Sequence, residues 1–284
     1  MIAITAATGQ LGRLVIAQLL QQVPATQVVA VVRNPAKAAD LAALGVTVRA
    51  ADYGDPAALG RAFAGVEKVL LISGTDFGRR AGQHAAVIAA AGRAGAKLLV
   101  YTSLLRADAT PLNLGPEHAE TERILKASGL SFVILRNGWY HENYTASVPA
   151  ALAHNAFAGC AGEGRISSAA RADYAAAAVA ALTGRAEIGR TYELAGDTAY
   201  TLAEFAAELS RQAGRAIPYV DLPEVGYAEA LLKAGLPPAL ATGLASWDAG
   251  ASQGALFDDG KALSRLIGRP TTPVSEAIRA ALGA

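Results

Sequence analysis

Residues 2–20 read IAITAATGQLGRLVIAQLL, and the parsing of that stretch decides the fold. Met1 to Thr5 form a short apolar strand, Ala6 to Gly12 a tight turn of small residues, and Leu11 to Leu20 an amphipathic helix. Strand, small-residue turn and helix make the unit that seats a pyrophosphate on a helix N-terminus, where free N–H groups and the helix dipole favour an anion. The usual fingerprint has three glycines inside a βαβ unit. Here Gly9 and Gly12 hold the second and third places, while Ala6 stands in the first.

Working outward, Gln27 to Arg33 (QVVAVVR) is β-branched and almost wholly apolar, as a strand covered on both faces must be. Strands are expected at Val46 to Ala50, Lys68 to Ile72, Lys97 to Thr102 and Ser131 to Arg136. Helices are expected from Pro35 to Ala43, Asp55-Pro56 to Ala64, Arg79 to Ala94 and Glu117 to Ala127. Six strand–helix alternations with short connections predict an α/β fold, a doubly wound parallel sheet of the Rossmann type. Beyond Asn137 the alternation loosens. Residues 1–140 read as a dinucleotide-binding domain to which some later segments return, and 141–284 as a smaller, mostly helical substrate lobe over the carboxyl edge of the sheet. Expected there are helices at Ala172 to Leu182, Thr201 to Ala213, Glu224 to Ala234, Pro237 to Ala245, Asp258 to Ile267 and Val274 to Leu282. Strands are expected at Arg190 to Leu194 and Ile217 to Val220.

The 284 residues suffice for a sizeable core, and 52% of them are hydrophobic, largely alanine, against 17% charged. No apolar run approaches the roughly 20 residues that span a bilayer. The start lacks a basic n-region, so no secretory signal is expected. A net charge of +1 without a basic block argues against nucleic acid as an obligate partner. Cys160 is the one cysteine, which excludes an internal disulfide and a cysteine-rich metal site and suits a reducing cytoplasm. It reads as a small buried hydrophobe rather than a nucleophile.

The end of the second strand discriminates between dinucleotides. An acid there holds the ribose hydroxyls of NAD, whereas an Arg accommodates a 2′-phosphate. The residue is Arg33, followed by Asn34 and Lys37, with no acid between Thr26 and Ala39; NADP(H) is the expected cofactor. Asp52, closing the third strand, lies beside the adenine or caps a turn. Ser73, Gly74 and Thr75 follow the fourth strand, where backbone and hydroxyls reach the cofactor riboses, and equally suit a plain turn.

The segments TAATGQLG (5–12), VVRNPAK (31–37), ADYGD (51–55), LLIS (70–73), YTSLL (101–105) and especially LRNGWYHENY (135–144) carry a resemblance. They resemble the atypical, NmrA-like branch of the short-chain dehydrogenase/reductase superfamily. Within it the chain is most similar to bacterial NADP(H)-dependent quinone oxidoreductases of the second type and to triphenylmethane reductases. The similarity runs on through RADYAAAA (171–178) and LFDDGKALSRLIGRPTTP (256–273). It implies cofactor contacts from Ala6, Ala7, Thr8, Gly9, Gln10 and Leu11 beside Gly12, and from Arg33 and Ser73 to Thr75. It implies further contacts along Asn137, Gly138, Trp139, Tyr140, His141 and Glu142, and around Ala169, Ala170, Arg171, Ala172, Asp173 and Tyr174.

Most short-chain dehydrogenases use a Ser, and a Tyr and Lys four apart, on an alcohol oxygen. Ser103 can stand for that Ser. The helix after it has no Tyr-x-x-x-Lys; His118 and Glu122 fill the spacing. Without that acid–base pair an alcohol dehydrogenase is disfavoured, but quinone reduction is not. Its requirement is a nicotinamide held about 3–3.5 Å from a flat acceptor, with water excluded. Trp139 and Tyr140 read as a stacking wall or as packing at the lobe junction. His141 or His118 reads as a proton donor, the alternative for His118 being a solvated helix histidine. Arg171 and Tyr174 start a helix beside the nicotinamide ribose, and Asp173 there is equally a charge on the helix dipole. If the first turn needs positive φ, Ala6 costs roughly 1–2 kcal/mol and weakens cofactor affinity by about tenfold. The expected partner is a small planar aromatic or quinone molecule, with a homodimer as candidate assembly and no membrane. The competing class is an NmrA-like regulator that senses NADP(H) without turnover.

Overall fold

The computed structural model describes residues 1–283. In chain order the elements are β1 (Ile2–Ile4), α1 (Gln10–Leu19), β2 (Val28–Val32), α2 (Ala39–Ala43), β3 (Thr47–Ala50), α3 (Pro56–Ala62), β4 (Lys68–Leu71), α4 (Arg80–Arg93), β5 (Leu98–Leu104), α5 (Gly115–Ala127) and β6 (Phe132–Asn137). Then come α6 (His141–Thr145), α7 (Val148–His154), β7 (Phe157–Gly159), α8 (Arg171–Leu182), β8 (Thr191–Leu194), α9 (Leu202–Ala213), β9 (Tyr219–Asp221), α10 (Glu224–Lys233), α11 (Pro238–Ser252), α12 (Ala262–Ile267) and α13 (Val274–Ala281).

The chain divides into two compact units. The first comprises Met1–Asp108, Leu114–Asn137 and Ala172–Tyr192; the second comprises Ala109–Asn113, Gly138–Arg171 and Glu193–Ala284. The sheet order is β3-β2-β1-β4-β5-β6-β8. Its pairings are parallel, with Ile4 opposite both Ala30 and Leu70 and Tyr101 opposite Ile134. The expected doubly wound α/β sheet is therefore present. All five residues of β2 are buried, because alternate residues of such a strand feed opposite helix layers. On one face Val29 and Val31 join Leu59 and Phe63, Val87 and Ile88 of α4, and Leu125 of α5 in a single apolar cluster. On α1, Leu11, Val15, Ile16 and Leu19 are buried at helical spacing, an apolar stripe that ties the helix to its strands.

Within the second unit, β7 and β9 form a parallel pair, with Ala158 opposite Val220. Helix α9 starts with a capping box: Thr201 Oγ1 accepts from Glu204 N at 3.1 Å, and Glu204 Oε2 accepts from Thr201 N at 2.8 Å. Such a box stabilises the helix start by about 1 kcal/mol. Among the described residues no helix is long and apolar enough to cross a membrane. Cys160 is buried, its Sγ donating to Ala245 O at 3.2 Å, and burial pushes the thiol up to about 12; a thiol so shifted is no nucleophile.

Candidate functional site

In the first unit the strand order reverses at β1 and β4, and ligands of open parallel sheets bind at the carboxyl ends of strands where this happens. Ala6 to Gly12 and Ser73 to Thr75 leave those two strand ends. Gly9 N donates to Ala6 O at 2.9 Å and Arg13 N to Gly9 O at 3.0 Å, so the turn closes directly into α1. Ala6 has φ +47°, the left-handed conformation that glycine adopts freely. A Cβ on Gly12 would lie 2.6 Å from Ala6 O and 2.8 Å from Ala7 Cα. Gly12 is thus the residue that lets helix and strand approach. No side chain caps α1, so the N–H groups of Gln10 and Leu11 suit an anion's oxygens. Ala7 is buried, and Thr8 O accepts from Arg13 Nε at 3.3 Å.

Arg33 is exposed at the end of β2. The next acid along the chain, Asp40, is paired with Arg13, whose guanidinium lowers its pKa. Arg13 also donates to Lys37 O at 2.8 Å. Three cations therefore stand near one strand end while the nearby acid is engaged. Asp52 accepts from Gly54 N at 2.7 Å through Oδ1, so one of its oxygens does cap a turn.

The loop after β4 is tied on several sides. Ser73 N donates to Thr102 Oγ1 at 3.0 Å, Gly74 N to His84 Nε2 at 3.0 Å, and Arg80 Nε to Gly74 O at 2.8 Å. Gln83 Nε2 donates to Asp76 Oδ2 at 2.8 Å. Ser103 is buried at the end of β5 and donates to Glu122 Oε1 at 2.6 Å. The Glu122 carboxylate receives Arg136 at both oxygens, from Nε at 2.8 Å and Nη2 at 2.7 Å. His118 is not solvated: it is 5% exposed and its Nδ1 lies 2.7 Å from Tyr101 Oη. Burial, then the charge of Arg80, hold its pKa down to about 3, so it is neutral at ordinary pH. Asn137, at the end of β6, is buried with an Oδ1 that has no hydrogen-bond partner. An unpaired buried acceptor costs about 1–3 kcal/mol and suits a carboxamide N–H or a ribose hydroxyl, both of which NADP(H) carries.

In the second unit two stretches far apart in sequence are zipped together. Ala169 N donates to Trp139 O at 3.0 Å, and His141 N to Ala169 O at 2.9 Å, pairing Tyr140 with Ala169 in parallel. Gly138 N donates to Leu194 O at 2.7 Å. Arg171 N donates to both Glu142 oxygens, at 3.0 and 3.1 Å, while its guanidinium lies 4.5 Å from the centre of the Tyr140 ring, a cation–π contact. His141 is 1% exposed; its Nδ1 is 2.8 Å from Ser168 Oγ and its Nε2 2.9 Å from Thr272 O. A carbonyl only accepts, so Nε2 carries the hydrogen and both nitrogens are occupied. Trp139 meets Trp247 edge to face at 5.9 Å, and Trp247 Nε1 donates to Asn113 Oδ1 at 2.8 Å.

Of the remaining expected residues, Ala170 is half-buried just before α8. In the first unit, Ala172 O accepts from Gln18 Nε2 at 2.9 Å, and Asp173 and Tyr174 are fully buried in α8. His84, Arg80 and Arg136 were not among the expected site residues. The available signal for the first two was spacing: Arg80, His84, Val87, Ile88 and Ala91 lie on the buried face of α4. A cleft of about 540 Å³ opens at the opposite, amino edge of the first unit's strands, lined by Gln22, Glu67 and Lys68 among others. Lys68 there donates to Leu182 O at 2.6 Å, and none of the expected site residues lines this edge.

Residues 6–184 match a family model described as NAD(P)H-binding. The chain is 58% identical over 278 residues to quinone oxidoreductase 2 of Escherichia coli K12, covering 98% of this chain and 97% of that protein. It is 31% identical over 281 residues to an NAD(P)H azoreductase of Xenophilus azovorans, covering 99% and 97%. Among solved structures, an NADPH complex of the E. coli NADPH-dependent quinone oxidoreductase superposes with a TM-score of 0.96 at 57% identity, covering 99% and 100%. The triphenylmethane reductase of Citrobacter sp. with NADP(H) superposes at 0.95 and 35%, also covering 99% and 100%.

Proposed function

The chain belongs to the NAD(P)H-binding family, and from that premise we propose that it is an NADPH-dependent reductase of quinones or of cationic aromatic acceptors of the triphenylmethane kind. The observation that carries this reading is the end-to-end similarity to the E. coli quinone oxidoreductase. When bound, NADPH supplies a hydride from its nicotinamide ring. In this reading the first unit binds NADP(H) and the second carries the acceptor.

The α1 N-terminus and the turn from Ala6 hold the pyrophosphate, and Arg33 meets the 2′-phosphate as a planar, permanently charged fork. Ser73 to Thr75 reach the riboses, Asp52 lies by the adenine, and Asn137 Oδ1 accepts from the cofactor. Glu142 fixes the backbone of Arg171, whose guanidinium backs one face of Tyr140. Tyr140 and Trp139 then present rigid aromatic surface to a flat acceptor. Ser103 Oγ, His118 Nδ1 and both ring nitrogens of His141 are engaged within the protein, so in this reading these residues fix the neighbouring Glu122, Tyr101, Ser168 and Thr272. A quinone that gains hydride becomes a phenolate-type anion and takes its proton from water. The acceptor is a small planar molecule met in the cytoplasm, and a homodimer is the candidate assembly, read by sedimentation.

The test is the rate of NADPH oxidation with a simple benzoquinone, against NADH, for the wild type and Arg33→Ala. Turnover that prefers NADPH, with the preference lost in the variant, is the expected result. Binding of NADPH without acceptor-dependent turnover would instead identify a sensor. A preference for NADH would remove Arg33 from its role.

A further inference from the structure

Gly74 is gripped at both ends of its own backbone by two side chains one turn apart on α4. Its N–H donates to His84 Nε2 at 3.0 Å, and its carbonyl accepts from Arg80 Nε at 2.8 Å. The protonation of His84 follows from its other neighbour. Thr121 Oγ1 donates its single hydrogen to Glu117 O at 2.8 Å, so towards His84 Nδ1, 3.1 Å away, it can only accept. Nδ1 therefore carries the ring hydrogen and Nε2 the lone pair. Tyr101 and Tyr53 meet the ring edgewise at 5.4 and 6.1 Å, which fixes its plane. Burial, then the charge of Arg80, keep its pKa down to about 3; the lone pair persists at ordinary pH. A Cβ on Gly74 would lie at ordinary van der Waals distance from Gln83, at 3.5 Å, and from His84 and Tyr53, at 3.8 Å, so these three side chains border the glycine.

We infer that His84 is a positioning residue for cofactor binding: by holding the Gly74 N–H it sets the 73–75 loop in the conformation that receives the dinucleotide. The inference rests on the NADPH reading above. A loop fixed before the ligand arrives loses less conformational freedom on binding. Releasing the Gly74 N–H leaves a half-buried donor unpaired and removes one of the ties that fix the loop, leaving those from Ser73 N to Thr102 and from Arg80 to Gly74 O.

Three substitutions separate this role from a general packing role. In His84→Gln the side-chain oxygen reaches the place of Nε2, keeping the acceptor for Gly74 while abandoning Thr121. In His84→Asn the amide reaches the place of Nδ1, keeping Thr121 while abandoning Gly74. His84→Leu abandons both. NADPH dissociation constants are measured by isothermal titration, with thermal unfolding in parallel and the quinone KM at saturating NADPH. Expected is a Kd raised about tenfold in His84→Asn and His84→Leu, a return towards wild type in His84→Gln, and an unchanged quinone KM throughout. Thermal stability falls in all three, so affinity and stability do not run in parallel. Should His84→Leu fail to fold, the Gln and Asn pair decides alone. A wild-type Kd in His84→Asn, or a Kd in His84→Gln as weak as in the Asn or Leu variant, overturns the inference. Wild-type protein that binds no NADPH overturns the functional reading itself.

Discussion

Replacing Ala6 by glycine isolates one defined strain. Ala6 sits at φ +47°, where an L side chain crowds its own carbonyl at a cost of roughly 1–2 kcal/mol. Glycine removes that crowding but adds freedom to the unfolded chain, an opposing effect of roughly 0.5–1 kcal/mol. The balance makes Ala6→Gly the more stable protein by about 0.5–1 kcal/mol, or about 1–4 °C in Tm for a chain of this size. Because the folded backbone already holds this conformation, the strain enters the folding equilibrium rather than the binding equilibrium. Cofactor affinity is then affected only through the methyl group, by up to about tenfold if it faces the pyrophosphate. Thermal unfolding and NADPH titration of the two proteins read these effects separately. A midpoint at or below wild type refutes the strain reasoning. A raised midpoint with an unchanged Kd refutes only the placement of the methyl.

Gly12→Ala has the opposite sign in the same turn: its Cβ would press on the backbone of Ala6 and Ala7, so a loss of about 1–3 kcal/mol is expected from urea unfolding, and none would show that α1 shifts freely. Arg136→Met strands the buried Glu122 carboxylate, with an expected loss of about 3 kcal/mol. Arg136→Met/Glu122→Leu recovers most of it, and a double variant no more stable than the single would contradict the buried-charge account. His84 and His118, both lowered to about 3 from 6.5, are neutral in the folded chain but take up protons when it unfolds. Their contribution is fully present above the unfolded value and is lost as pH falls towards 3, at up to about 1.4 kcal/mol per pH unit for each ring. Equal unfolding free energies at about pH 7 and about pH 5.5 would contradict this.

The doubly wound sheet was legible because six apolar strands alternate with helices at short spacing, and the turn at Ala6 because small residues cluster at one strand–helix junction. The elements α6, α7 and β7 were not anticipated. Their 5, 7 and 3 residues are too short for a period to declare itself, and Pro149 reads as a breaker although it opens a helix. Helix α11 runs to Ser252, past the expected Ala245, because Gly243 is not a stop: it leaves space for the Trp247 ring, which a Cβ there would meet at 3.2 Å. The positions of Arg33 and Ser73 followed from counting along strands. The partners of Ser103, His118 and His141 did not, since those bonds reach 17 to 131 residues along the chain. Only the folded backbone supplies such pairs.

The edge-to-face contact of Trp139 and Trp247 has a spectroscopic consequence. They are the chain's two tryptophans, and both belong to the second unit. All indole emission therefore originates from a single pair of rings, and the first unit is silent at indole wavelengths. A shift in emission colour during denaturation times the loss of structure in the second unit, while far-ultraviolet dichroism follows the whole chain. Whether the two signals coincide reads directly how cooperatively the units unfold.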